Sequence, residues 1–140
     1  MAFLFNFDML TLKPILMKIA TIIIRILIGS LLLFASVSFF LKLAPEPVTT
    51  GDFKAFQVGL IASTYLMPLA KAIELLCGLA FVMGRYVTLA NVVILPVTLN
   101  ILLINYFLTP ESLPIALFMF LGNLFLIYSY WANYKSILTP

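Results

Sequence analysis

The chain has 140 residues, 64% of them hydrophobic and only 9% charged. A soluble domain usually carries about 25% charged residues, so too few charges remain to cover a globule in water, whereas four bilayer spans of about 20 residues with short connections fit the length. The net charge of +3 is small and dispersed, with no Lys/Arg cluster, and this argues against nucleic acid as a partner.

Two absences narrow the chemistry further. Without histidine, the chain cannot supply a histidine-ligated haem, a His-containing metal site or a histidine proton relay. Its single cysteine, Cys77, allows neither an intrachain disulfide nor a CxxC redox pair and reads as a packing residue. The stretch Met1 to Leu12 has no Lys or Arg before its apolar part, so a secretory signal is not expected there.

Residues 1–14 are aromatic-rich and mildly amphipathic, suited to the interface or to docking on a partner. Pro14 sits where the first turn of a helix tolerates proline, and Lys18 falls near headgroup level. The first span is read over about 19–43. Its roughly 25 residues, at about 1.5 Å each, exceed a hydrocarbon core of about 30 Å, so it should tilt or protrude. Pro45 and Pro47 stop it. The connection 44–64 is the only long one. Thr49, Thr50 and Asp52 are candidate caps, and Phe53, Phe56 and Leu60 recur at helical spacing, which predicts a short amphipathic helix. The second span is read over about 65–84, with Gly84 closing it before an Arg85-Tyr86 turn. The third covers about 87–108 and contains Pro96, which should free the carbonyl of Val92. After a Pro-rich turn, the fourth covers about 113–131. Tyr128, Tyr130, Trp131 and Tyr134 then form an expected aromatic anchor. The reading is all-α: a single integral membrane four-helix bundle over residues 1–140, with a short amphipathic segment between spans 1 and 2.

Lys13, Lys18, Arg85 and Lys135 fall on the side shared by both termini, against Lys42 and Lys54 on the other. The positive-inside rule therefore places both termini in the cytoplasm. Within the spans stand Arg25, Lys71 and Glu74. Such groups cost about 2.5–3.5 kcal/mol each at a helix centre on insertion scales, so they are expected to face the bundle and find partners. Arg25, Gly29 and Ser36 share one helical face; Lys71, Glu74 and Gly78 share another; Asn91, Thr98 and Asn105 repeat at seven. Polar groups beside small residues are what close helix packing in lipid uses. The expected intramembrane polar centre is thus Arg25 paired with Glu74, with Lys71, Asn91, Thr98, Asn100, Asn105 and Asn123 around it. Asn100 lies off the Asn91 stripe and is expected to face a different neighbour. Such a centre serves either as structural glue or as a functional pocket.

Two stretches resemble the DoxX family of small bacterial four-helix membrane proteins. One is Arg25-Ile26-Leu27-Ile28-Gly29 with its apolar run to Phe34. The other is Leu69 to Gly84 (LAKAIELLCGLAFVMG), where Glu74, Gly78 and Gly84 match the family's acidic residue followed by two glycines. The family often has a glycine and a basic residue near the end of the first span; here the chain reads Ala35-Ser36-Val37-Ser38-Phe39-Phe40, with Lys42 the nearest base. The histidine common in the family's third or fourth span is missing. The resemblance implies a bacterial inner-membrane protein of the kind associated with quinone-linked sulfur oxidation and terminal oxidase complexes.

Three functions follow as expectations. The first is a small accessory subunit of a membrane complex, quinone-linked by the resemblance, whose polar centre accepts a quinone or lipid headgroup; no cofactor is held by the chain alone. The second is a small proton-coupled transporter, disfavoured because a base within about 4–6 Å keeps a carboxylate ionised. The third is a purely structural or assembly subunit. The partners are the lipid bilayer and either other membrane subunits or further copies of the chain. No nucleophile–base pair or metal ligand set stands out, so an independent enzyme is not expected.

Overall fold

The computed structural model describes the backbone of residues 2–140 and the side chains of residues 12–140. Helix α1 spans Ala2–Phe40, α2 Gly51–Ala62, α3 Leu66–Met83, α4 Val87–Phe107, α5 Leu113–Ser129 and α6 Trp131–Leu138, with a 3-10 turn at Pro110–Ser112 before α5. No strand occurs among the described residues. Four helical segments are long and apolar enough to cross a membrane: Leu12–Phe40, Leu66–Met83, Val87–Phe107 and Pro110–Ser129. The protein is an all-α, multi-pass membrane protein.

The four long helices close a ring. Helix α1 packs on α3 and α5, α3 on α4, and α4 on α5. Each contributes to one core, in which Ile28, Leu32, Phe81, Ile94 and Leu126 are wholly buried. The remaining large side chains of the four helices are mostly turned outward, as a lipid solvent allows. Helix α2 has no buried residue and touches only α3 among the long helices' closer partners, in keeping with an interfacial segment.

Glycines let α1 approach α3 closely. A Cβ on Gly78 would stand 3.0 Å from the Gly29 carbonyl oxygen and 3.1 Å from the Leu33 backbone nitrogen; one on Gly29 would stand 2.9 Å from the Phe81 Cβ. The two backbones therefore meet directly, antiparallel, with positions 29 and 33 opposite 78 to 82. Further along, Gly84 caps α3 at φ 70°, its N–H bonded to the Ala80 carbonyl. Its missing side chain leaves room for the Arg25 guanidinium, whose Cζ would lie 3.0 Å from a Cβ there. Position 84 thus requires glycine on two counts, backbone conformation and space.

Three expectations change here. First, α1 is one helix of 39 residues, about 58 Å long at about 1.5 Å per residue. Pro14 lies inside it rather than in its first turn. The side chains of residues 1–11, on which the amphipathic reading of 1–14 mostly rests, lie outside the described ones. Second, Thr50 is the N-cap of α2 but makes no side-chain cap bond; Thr49 instead donates to Gln57 Oε1 at 2.7 Å. Third, the aromatic anchor divides. Tyr128 and Trp131 stay exposed, whereas Tyr134 is buried and donates to the Thr88 carbonyl at 2.8 Å. That bond ties α6 across the start of α4.

Candidate functional site

The polar residues do not gather into one centre. Their hydrogen bonds and ion pairs separate them into three groups and two further amides.

The first group lies within α3. Lys71 Nζ and Glu74 Oε2 form an ion pair at 2.8 Å, with side chains 17% and 4% exposed. Spacing of three residues puts both heads on one face of the same helix, so the pair forms without help from a neighbour. The expected Arg25–Glu74 pair is not formed. Arg25 lies opposite Gly84, and Glu74 comes ten residues before Gly84, which is about 15 Å along the axis. The antiparallel register carries the two charges to different levels of the bilayer.

The second group stitches α4 to α5. Asn123 Nδ2 donates to the Asn91 carbonyl at 3.2 Å and to Asn91 Oδ1 at 3.3 Å. The Thr98 hydroxyl donates to Asn123 Oδ1 at 3.0 Å. All three residues are fully buried. Asn91 Nδ2 has no hydrogen-bond partner; the amide lies beside the Tyr134 phenol without closing a bond to it. Burial raises the pKa of that phenol above its ordinary value, and the Asn91 amide pulls more weakly the other way.

The third group surrounds Arg25 at the end of the bundle that holds the α3–α4 turn and the start of α6. Arg25 Nη1 donates to the Tyr130 hydroxyl at 3.3 Å, while its Nε is buried and unpartnered. The Thr21 and Ser129 hydroxyls share a hydrogen bond of 3.1 Å. A cleft of about 440 Å³ opens here between α1 and the end of α5, lined by Lys18, Thr21, Arg25, Ser129 and Tyr130 together with apolar Pro14, Met17 and Ile22. Among the described residues, no carboxylate lines it.

Asn105 and Asn100 stand apart. Asn105 donates to the Ile101 carbonyl and accepts from Thr109 at 2.9 Å, tying down the end of its own helix. Asn100, expected in the polar centre, is instead exposed on the outer face of α4, because it lies off the helical stripe that holds Asn91 and Thr98. Sequence reasoning passed over Thr21, Ser129 and Tyr130 as site residues. The signal for the first was present, since positions 14, 18, 21 and 25 fall on one helical stripe. Ser129 and Tyr130 join only because α5 ends at that height.

A ring of four apolar, alternately directed helices with separate polar groups defines a small integral membrane bundle. The family model for DoxX matches residues 20–125, three quarters of the chain, and the chain belongs to the DoxX family. The match includes Arg25, the Gly29–Gly78 contact, the Lys71–Glu74 pair and the asparagine network; it stops short of Lys18, Ser129 and Tyr130. No curated protein and no solved structure matches the chain.

Proposed function

We propose that this DoxX protein is a small accessory subunit of a larger membrane assembly, held to a helix of a partner protein by the outer face of α4. The observation that carries this reading is Asn100. It is the fourteenth of 21 residues in α4, roughly 5 Å from the middle of that span. Its amide is exposed toward lipid and makes no hydrogen bond among the described residues. One turn before it, exposed Pro96 removes the N–H that the Val92 carbonyl would receive. An amide and a released carbonyl on one lipid-facing stripe are costly in hydrocarbon, which offers them nothing to bond. A neighbouring transmembrane helix with a polar side chain satisfies both, a contact worth about 1–2 kcal/mol in model helices.

Quinone-linked redox complexes are the setting the family implies. The distribution of basic residues supports a bacterial inner membrane with both termini cytoplasmic. With Arg25 now at the bundle end, Lys13, Lys18, Arg25, Arg85 and Lys135 share the termini's side, against Lys42 and Lys54. Proton-coupled transport has less support, because Lys71 already balances the charge of Glu74.

The test is purification of the native protein in mild detergent, with mass spectrometry of the proteins and quinones that accompany it. The expected result is a stoichiometric membrane protein that is lost from Asn100→Leu while the variant stays folded. Wild-type protein that runs alone defeats the reading. A disulfide between two copies of Asn100→Cys in a Cys77→Ser background replaces the partner with a second copy of the chain.

A further inference from the structure

We infer that the Arg25 cleft binds a phosphate group, carried on the headgroup of an anionic lipid or free in solution. This inference does not depend on the accessory-subunit reading, since the cleft lies between α1 and the end of α5, whereas the Asn100 stripe is on the outside of α4.

Four observations support it. The first is uncompensated charge. Arg25 is a permanent cation whose hydrogen-bond partner is a neutral phenol at 3.3 Å, and among the described residues no Asp or Glu lines the cleft. Lys18, two turns earlier on the same helix, adds a second cation to the lining.

The second is the orphaned donor. Arg25 Nε is buried with no acceptor among the described residues. A guanidinium presents Nε and an adjacent Nη along one edge, a fork that matches two oxygens of a phosphate. A bound oxyanion satisfies the atom that the protein leaves bare.

The third is the spread of neutral donors. Ser129 and Tyr130 line the same space; Thr21 lines it too, but its proton goes to the Met17 carbonyl at 2.8 Å. The Tyr130 oxygen receives the Arg25 proton and keeps its own O–H for a ligand. Donors on several sides suit a tetrahedral anion better than a planar carboxylate. Gly84 keeps the opposite flank clear, so the guanidinium holds its place at the mouth.

The fourth is position. Arg25 lies level with Gly84 at the end of α3, and the cleft runs from it past Lys18 toward Pro14, beyond the end of α3, where a ligand reaches it from outside the four-helix core.

The experiment uses the full chain purified in a mild detergent. It is titrated separately with phosphatidylglycerol, with diacylglycerol of the same acyl chains, and with inorganic phosphate, and bound species are counted by native mass spectrometry. One phosphatidylglycerol per chain is expected, diacylglycerol binding at least about tenfold more weakly, since a hydrogen bond to a charged group carries about that factor. Arg25→Gln should weaken phosphatidylglycerol by a similar factor while melting at the wild-type temperature. Inorganic phosphate that competes at comparable concentration assigns the free ion; competition only in large excess assigns the headgroup. Equal binding of phosphatidylglycerol and diacylglycerol overturns the inference, as does a folded Arg25→Gln that binds like wild type. Should Arg25→Gln fail to fold, the double variant Lys18→Gln/Ser129→Ala takes its place: a loss of severalfold supports the phosphate site, and unchanged affinity overturns it.

Discussion

Replacing Gly78 offers a quantitative test of how α1 meets α3. An alanine there brings its Cβ to 3.0 Å from the Gly29 carbonyl oxygen, 3.0 Å from the Leu33 Cγ and 3.1 Å from the Leu33 backbone nitrogen. Comfortable contact begins near 3.5 Å, and two of the three atoms are backbone, so the helices must part by about half an ångström. Overpacking of this kind costs about 1–3 kcal/mol. Alanine also recovers about 1 kcal/mol of helix propensity over glycine, so the net loss for Gly78→Ala is between zero and about 2 kcal/mol. Gly78→Val adds two methyl groups without that gain and should lose at least about 3 kcal/mol. Gly59 provides the control: a Cβ there meets nothing within 4 Å, so Gly59→Ala keeps or slightly raises stability. The assay is built into the chain, because Cys77 is its only cysteine and is buried beside the contact. Its rate of modification by a maleimide in detergent reports how often α1 and α3 separate. Each 1.4 kcal/mol lost should raise that rate about tenfold, in the order Gly59→Ala, Gly78→Ala, Gly78→Val. A Gly78→Val protein that matched wild type in both thiol rate and melting temperature would falsify the direct backbone contact.

Two other substitutions address the polar groups. Glu74→Gln leaves Lys71 charged and unpaired in an apolar helix; abundance in the membrane should fall with a loss of up to about 3 kcal/mol, less if the lysine snorkels outward. The double change Lys71→Leu/Glu74→Leu should restore abundance, and quantitative blotting of membranes decides between them. Tyr134→Phe removes the bond to the Thr88 carbonyl and should lower stability by about 1 kcal/mol at neutral pH. Because burial raises the folded phenol above its ordinary value, the unfolded chain ionises first, near pH 10. Wild type should therefore lose stability as pH rises beyond about 10, and Tyr134→Phe should lose less over that window, read by thermal melts.

The fold was legible because hydropathy in a bilayer dictates element length. Gly84, Pro110 and the Pro45/Pro47 pair punctuate the chain where the helices stop. Helical periodicity was legible too, and it placed Arg25, Glu74, Asn91 and Asn123 on faces that meet other helices. Height was not. Periodicity says which way a side chain points around its own axis and nothing about how two helices slide against each other. That is why Arg25 was matched to Glu74, when the i,i+3 spacing of Lys71 already offered a partner on the same helix. Asn105 drifted from the Asn91 stripe for a related reason: a repeat of seven precesses by about 20° per heptad on a straight helix, and Asn105 lies near the helix end, where a local bond to Thr109 is available. Asn100 lies off that stripe, and on the outer face of α4 it is turned away from the polar centre in which it is expected. The cleft escaped notice because its second wall belongs to the end of α5, which nothing in the local pattern relates to Arg25.

The four helices are joined in two unlike ways. Across α4 and α5 the contact is directional: Asn91, Thr98 and Asn123 interlock at three oxygen acceptors, so sliding by one residue breaks every bond. Across α1 and α3 the central contact is steric, glycine backbone on glycine backbone, which resists approach but hardly resists shear. When bilayer thickness changes, spanning helices respond by tilting, and the displacement concentrates on the side without interlocking bonds. The bundle thus has a stiff half and a compliant half. Arg25 and its cleft lie outside that compliant seam, where α1 is tied to the end of α5 by the Arg25–Tyr130 and Thr21–Ser129 hydrogen bonds, so the cleft keeps its width while the seam slips.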